Sequence, residues 1–455
     1  MTAEPWPAEA DGFRVARPAP TGMTTLLVAG GRVLRPDLTV ERADVLVDRD
    51  AGEILAVGPD IAADRTVDET LSAENGLVVP GLVNGHGHGA MTLLRGYADD
   101  KPLDAWLQED IWPVEGVLTP DDVRAGTDLA LLELIRSGTT GFADMYFHVG
   151  EVAAAVADAG LRARVGHGVV TVGKDDDAAQ ADVDEAVEVA REYDDTADGR
   201  VTAALMPHAP HTVGSEYLDQ LATAADDIGV PLHFHLNETG EYIDAIDEEA
   251  SQRPVDYAAD HDLLREDTWV AHGVHLTPEE TETLAATGTS VVHCPASNMK
   301  LASGMAPVQD LLDAGVGVGL GTDGAASNND LDTFDEMRDA AMLGKLAAED
   351  AAAVPAEAVV EMATAGSADA LGVDSGRVEA GANADLAVLD LDAAHLTPEH
   401  DLVSHLAYAA RGSDVRHTVC DGEVLMRDRE VLTLDAAAVR ERAASAAAAA
   451  VGRVE

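Results

Sequence analysis

Two histidines one residue apart, His86 and His88, stand in the stretch GLVNGHGHGAMTLLR, directly after the apolar run GLVVP. Imidazoles at i and i+2 at the end of an extended segment share one face, about 7 Å apart, which suits two ligands of one metal ion. The glycines around them leave room for an ion and its ligand. Met alone, the pair is equally well explained by packing. The same pattern recurs further along, at the ends of other short apolar runs. VPLHFHLNE offers His233, His235 and Glu238, TWVAHGVHL offers His272 and His275, and VGVGLGTDG ends in Asp323. Histidines from three such ends and an aspartate from a fourth form a nitrogen and carboxylate donor set. That set suits Zn²⁺, with Fe²⁺ as second choice.

A donor set of this kind needs a scaffold that brings strand ends together. From Pro80 onward, helical stretches alternate with short apolar runs: DDVRAGTDLALLELIRSG then TTGFADMY, GEVAAAVADAG then LRARVGHGVV, EYLDQLATAADDIG then VPLHFHLNE. Roughly eight such units predict a parallel sheet closed into a (β/α)₈ TIM-like barrel, whose chemistry sits at the C-terminal strand ends. On either side lie β-branched runs split by Asp, Gly and Arg, read as antiparallel strands. They predict a split accessory β-sandwich over 23–80 plus 373–432, flanking a catalytic barrel at 81–372. Residues 433–455 are alanine-rich and predict a helical tail. Residues 1–22 predict a disordered tail, and Met23 stands as an alternative start.

The strings GLVNGHGHGAMTLLRGYADDKPLDAWL, WPVEGVLT, GTTGFADMYFH, MPHAPHTV, HFHLNET, AHGVHL, HCPASNMKLASGMAPV and GTDGAASNNDLDTFDEMR resemble the amidohydrolase superfamily. More narrowly, they resemble its 5-methylthioadenosine/S-adenosylhomocysteine deaminases, over about residues 23–430. The resemblance implies a hydrolase acting on C–N bonds of cyclic amidines, with a small nucleoside as substrate. It implies one metal per subunit, held by His86, His88, His235 and Asp323, because no strand-end lysine could bridge a second. His233 is then structural. It further implies that Asp323 takes a proton from water, that His272 steadies the adduct, and that Glu238 shuttles protons. Glu115 matches a ribose-binding glutamate and His208 a substrate contact. Ser327, with Glu238 and Asp323, lies near the substrate by position. The alternatives are another amidohydrolase chemistry, such as guanine or cytosine deamination or triazine dechlorination, and a relative without catalysis.

One departure bears on the substrate. Where relatives place an arginine after the third strand, this chain has His167, and the loop beyond carries the acidic run Asp175–Asp177. Arg164 has the wrong strand parity. Lys174 offers only a point charge, not a bidentate fork. Neutral 5′-substituted adenosines are therefore expected to fit better than S-adenosylhomocysteine.

The chain has 455 residues and a formal net charge of -55. Such an acidic field repels nucleic acid and anionic membranes, and neither is expected as a partner. No apolar run is long enough for a membrane span, and no signal peptide is legible, which predicts a cytoplasmic protein. Barrels of this type often associate into homo-oligomers, and no sequence feature sets a number. Cys294 and Cys420 imply no disulfide framework. Lysine occurs only at 101, 174, 300 and 345, while acidic residues are scattered throughout. This pattern resembles proteins of salt-accumulating halophiles, in which salt screens surface repulsion. The melting temperature is expected to fall when salt drops from molar to millimolar. Circular dichroism checks this, and an unchanged melt contradicts it.

Overall fold

The computed structural model describes residues 23–63 and 65–454, so the expected tail at 1–22 lies outside the described residues. The first strands are β1 (Thr25–Ala29), β2 (Arg32–Leu34), β3 (Val40–Arg42), β4 (Asp44–Asp48), β5 (Glu53–Gly58), β6 (Glu69–Ser72) and β7 (Gly76–Pro80). Then come β8 (Leu82–Asn84), β9 (Thr139–Tyr146), β10 (Arg162–Val169), β11 (Val201–Ala203), β12 (Met206–Pro207), β13 (His233–Leu236), β14 (Trp269–His272), β15 (Ser290–His293) and β16 (Val318–Leu320). The last are β17 (Leu386–Asp390), β18 (Val415–Cys420), β19 (Glu423–Arg427) and β20 (Glu430–Val431).

Strands β8 to β16 build a parallel barrel in two runs, β11-β10-β9-β8 with β12 beside β10, and β13-β14-β15-β16. Backbone bridges join the runs at both seams. Leu205 pairs with Leu232 on one side, and Gly87 pairs with Asp323 on the other. At the second seam Gly85 N donates to Leu320 O at 2.7 Å, and Asp323 N donates to His86 O at 3.1 Å. This close approach requires glycine. A Cβ on Gly85 would lie 2.7 Å from Val292 Cγ2, and one on Gly321 would lie 2.9 Å from His86 N. The expectation that the glycines clear space for an ion is thus corrected at Gly85, which makes room for neighbouring strands. Helices cover the barrel, and the capping box of Thr119 with Asp122 starts the long helix Pro120–Ser137. The C-terminal helix Ala436–Val451 lies against it, with Arg442 Nη2 2.8 Å from Asp128 Oδ2.

Two further sheets, β5-β4-β1-β6 and β20-β19-β18-β17-β7-β2-β3, combine strands from before and after the barrel. Leu26, Val28, Val45 and Val47 of one sheet share a core with Val78, Leu386, Val388 and Val419 of the other. That is the packing of a β-sandwich. The expectation of purely antiparallel strands is corrected here, since β1–β6 and β2–β7 run parallel. Among the described residues no helix is long and apolar enough to cross a membrane.

A buried ion pair ties the barrel to the sandwich. Arg162, at the start of β10, places Nε 2.8 Å from Asp385 Oδ2 and Nη2 2.7 Å from Asp421 Oδ1. Asp385 is 1% exposed, and its Oδ1 also accepts from Asp421 N. Removing one partner of such a pair strands a buried charge, at a cost of about 3–5 kcal/mol. Arg162→Leu is expected to lower the unfolding free energy by about 3 kcal/mol in urea titrations at molar salt. A loss below about 1 kcal/mol would show that the pair is not what holds the two parts together.

Candidate metal centre and active site

The ligand atoms of His86, His88, His235 and Asp323 lie within 4.8 Å of one another, and all four residues are buried. His235 is inside β13, and Asp323 follows β16. His86 and His88 fall just past β8, which ends at Asn84, so they occupy the turn after the strand. Their rings stand edge to face, 4.8 Å apart.

The hydrogen bonds on the far side of each ring set the tautomer. His88 Nδ1 is 2.7 Å from Met145 O, and His235 Nδ1 is 2.6 Å from His208 O. A carbonyl only accepts, so each Nδ1 carries the hydrogen and each Nε2 faces the cluster. Burial lowers the pKa of His88, but the hydrogen bond to Asp323 raises it to about 9, so an ion there would displace the proton from its Nε2 to reach the lone pair. His86 is turned the same way through a relay. His233 Nδ1 donates to Trp269 O at 2.8 Å, which leaves His233 Nε2 to accept from His86 Nδ1 at 2.8 Å. His86 Nε2 is then buried with no hydrogen-bond partner, 3.4 Å from Asp323 Oδ1. His88 Nε2 is 3.2 Å from the same oxygen. The other oxygen, Oδ2, accepts from Ser297 Oγ at 2.6 Å and Ser327 Oγ at 2.8 Å. Three imidazole Nε2 atoms and one tethered carboxylate therefore converge, and they fit a divalent metal ion. Asp323 and His272 both hold positive φ, 59° and 74°, a strain of the kind found at functional sites.

The cavity above this cluster is lined by His88, Glu115, His208, His235, Glu238, His272, Asp323 and Ser327, so it brings together all but one of the expected site residues. The exception, His86, lies beneath the others with no exposure. Glu238 is 6% exposed, and burial raises its pKa above the usual carboxylate value. Its Oε1 is 4.0 Å from His272 Nε2. His272 Nδ1 is held by Asn298 Oδ1 at 2.9 Å. Burial pushes His208 down to about 3, so its ring is neutral, and its Nδ1 lies 3.1 Å from Thr212 Oγ1. Ser327 lines the cavity, with its hydroxyl directed to Asp323. Sequence reasoning assigned His233 only a structural part, and it placed the segment HCPASN near the pocket without giving Ser297 or Asn298 a role. Both of the latter sit in the string CPASN, and their offset from Asp323 and His272 is visible only once strands are neighbours.

A wider cavity of about 650 Å³ continues outward, sharing Trp112, Glu115, Phe147, Val170 and Tyr242 with the first. Its charged lining residues are Asp104, Glu115, Glu241 and Lys174. Lys174 Nζ is 2.9 Å from Asp182 Oδ2, and His167 Nε2 is 3.1 Å from Asp182 Oδ1. Arg164 points elsewhere, to Ala203 O at 3.2 Å.

The amidohydrolase family model matches residues 77–425. A 5-methylthioadenosine/S-adenosylhomocysteine deaminase of Halobacterium salinarum is 68% identical, over 93% of this chain and 97% of that protein. A 5′-deoxyadenosine deaminase of Methanosarcina mazei is 43% identical, over 95% of this chain and all of that one. Among solved structures, an adenosine deaminase from Xanthomonas campestris with bound zinc superposes with a TM-score of 0.89 at 37% identity, covering 94% of this chain and 99% of that one. With its buried donor set and parallel barrel, this chain belongs to the amidohydrolase family.

Proposed function

We propose that this chain is a zinc-dependent deaminase of 5′-substituted adenosines, which replaces the C6 amino group with oxygen and releases ammonia. The observation that carries the reading is one cavity lined both by metal donors and by two further buried carboxyl groups, Glu238 and Glu115. The similarity to proteins named for methylthioadenosine and deoxyadenosine deamination supports the substrate class.

His86, His88, His235 and Asp323 would hold the ion, which when bound supplies a Lewis acid that lowers the pKa of water towards neutrality. Asp323 Oδ1 accepts a proton from the attacking water, while Ser297 and Ser327 keep Oδ2 in place. Glu238 protonates ring N1, without which C6 resists attack. It then takes the second water proton from the adduct hydroxyl as that oxygen becomes the carbonyl, and hands it to the departing amino group. The proton collected by Asp323 finally restores protonated Glu238. Burial raises the pKa of Glu238, which favours the protonated form that the N1 step needs. His272 presents Nε2 to the oxygen of the tetrahedral adduct, with its ring fixed by Asn298. Glu115 accepts hydrogen bonds from the ribose hydroxyls. The wider cavity then receives the 5′ substituent. There Lys174 is already paired with Asp182, and Asp104 and Glu241 face the same space, so a carboxylate finds little to offset its desolvation.

Glu238→Gln is expected to lower kcat by about 10²- to 10⁴-fold while zinc content stays at the wild-type level. Ammonia release and metal analysis at high salt check this, and wild-type turnover by the variant would remove Glu238 from the proton path. The specificity constant for 5′-methylthioadenosine is expected to exceed that for S-adenosylhomocysteine by about tenfold or more, equivalent to about 1.4 kcal/mol. The adenine-to-hypoxanthine absorbance change measures both, and equal constants contradict the assignment of the outer cavity.

A further inference from the structure

Glu115 ends the short helix Trp112–Glu115 and is 8% exposed. Among the described residues no lysine or arginine acts on it. The groups that do are the Tyr146 hydroxyl, which donates to Oε1 at 2.8 Å, and His88 at longer range. Tyr146 is the last residue of β9 and is 2% exposed. The residue before it, Met145, supplies the carbonyl that fixes His88. The end of one strand thus holds both a metal donor and the carboxylate that faces the sugar.

We infer that Tyr146 is a positioning residue for the ribose: its hydroxyl fixes Glu115 so that the remaining carboxylate lone pairs meet the 2′ and 3′ hydroxyls at a set distance from the metal centre. This inference rests on the adenine-nucleoside reading above. A carboxylate offers about four acceptor sites, and Tyr146 fills one, which leaves enough for a diol. The phenol remains a donor, because burial and the neighbouring Glu115 hold its pKa well above the usual 10. Burial raises Glu115, which stands at about 7 with the hydrogen bond from Tyr146 and the charge of His88 opposing that rise, and the Tyr146 bond favours the charged form that accepts from the sugar.

The test compares adenosine with 2′,3′-dideoxyadenosine, which keeps the base and the 5′ hydroxyl and lacks only the diol. The readout is the ratio of kcat/KM for adenosine to that for the dideoxy compound. In Tyr146→Phe this ratio is expected to fall about tenfold, carried mainly by KM for adenosine, as the loss of a charge-assisted hydrogen bond predicts. Glu115→Gln is expected to lower the ratio as well, and the double variant no further than Glu115→Gln alone. A merely structural defect would slow both substrates equally, so an unchanged ratio in Tyr146→Phe overturns the inference. Should the Phe variant not accumulate as holoenzyme, Tyr146→Met, apolar and of similar length, is read in the same way. Failure of the unaltered enzyme to deaminate adenosine, 2′,3′-dideoxyadenosine and 5′-methylthioadenosine alike would overturn the deaminase reading itself, and the role of Tyr146 with it.

Discussion

Closing a parallel sheet into a barrel forces the first strand against the last, and two of the candidate metal donors, His86 and Asp323, sit on that seam. Asp323 N donates to the carbonyl of His86, so two of the four donors are hydrogen-bonded backbone neighbours. Val292 and the backbone of His86 leave no space for side chains at Gly85 and Gly321. The separation of His86 and Asp323 is therefore set by barrel closure and not by loop conformation. Rigid elements place catalytic groups more accurately than loops do. The remaining donors depend on the same geometry, because His235 and the carbonyl that orients His88 come from strands that the closed barrel holds opposite and alongside.

Proton positions follow from the strands as well. Backbone carbonyls of Met145, His208 and Trp269 take up the hydrogen that each imidazole, or the imidazole behind it, would otherwise turn inward. The three Nε2 atoms then face one carboxylate, and that of His86 is buried with no hydrogen-bond partner. In an apolar interior that would be costly, and it fits a site whose polar atoms are kept for an ion. The stacking of His233 on Trp269, with ring centroids 4.5 Å apart, holds the relay in place.

Much of this was legible in the residues. His-Gly-His, HFH with Glu238, AHGVH and GTDG each mark the end of a short apolar run, and a barrel is the fold that gathers such ends. What remained hidden depends on contacts between distant segments. His233 and His235 share a strand face, and only the position of Trp269 O shows how His233 orients His86. Ser297 and Asn298 read as loop polarity until β15 and β16 lie side by side. Tyr146 reads as one more apolar residue in TTGFADMY, because nothing in that string shows that the chain returns from Glu115 to meet it. The mixed strand directions of the sandwich were hidden too, since β2 and β7 pair across the loop of β3 to β6.

The relay through His233 has one more consequence. An ion held jointly by His86 and Asp323 would join the first and last strands of the barrel through a bond that neither backbone nor core supplies. In polymer terms it is a non-covalent cross-link closing a loop that spans almost the whole barrel, and the entropy such a link removes from the unfolded chain grows with loop length. The centre proposed for the chemistry would thus also act as the clasp of the ring, and the chain's own topology would favour keeping it filled.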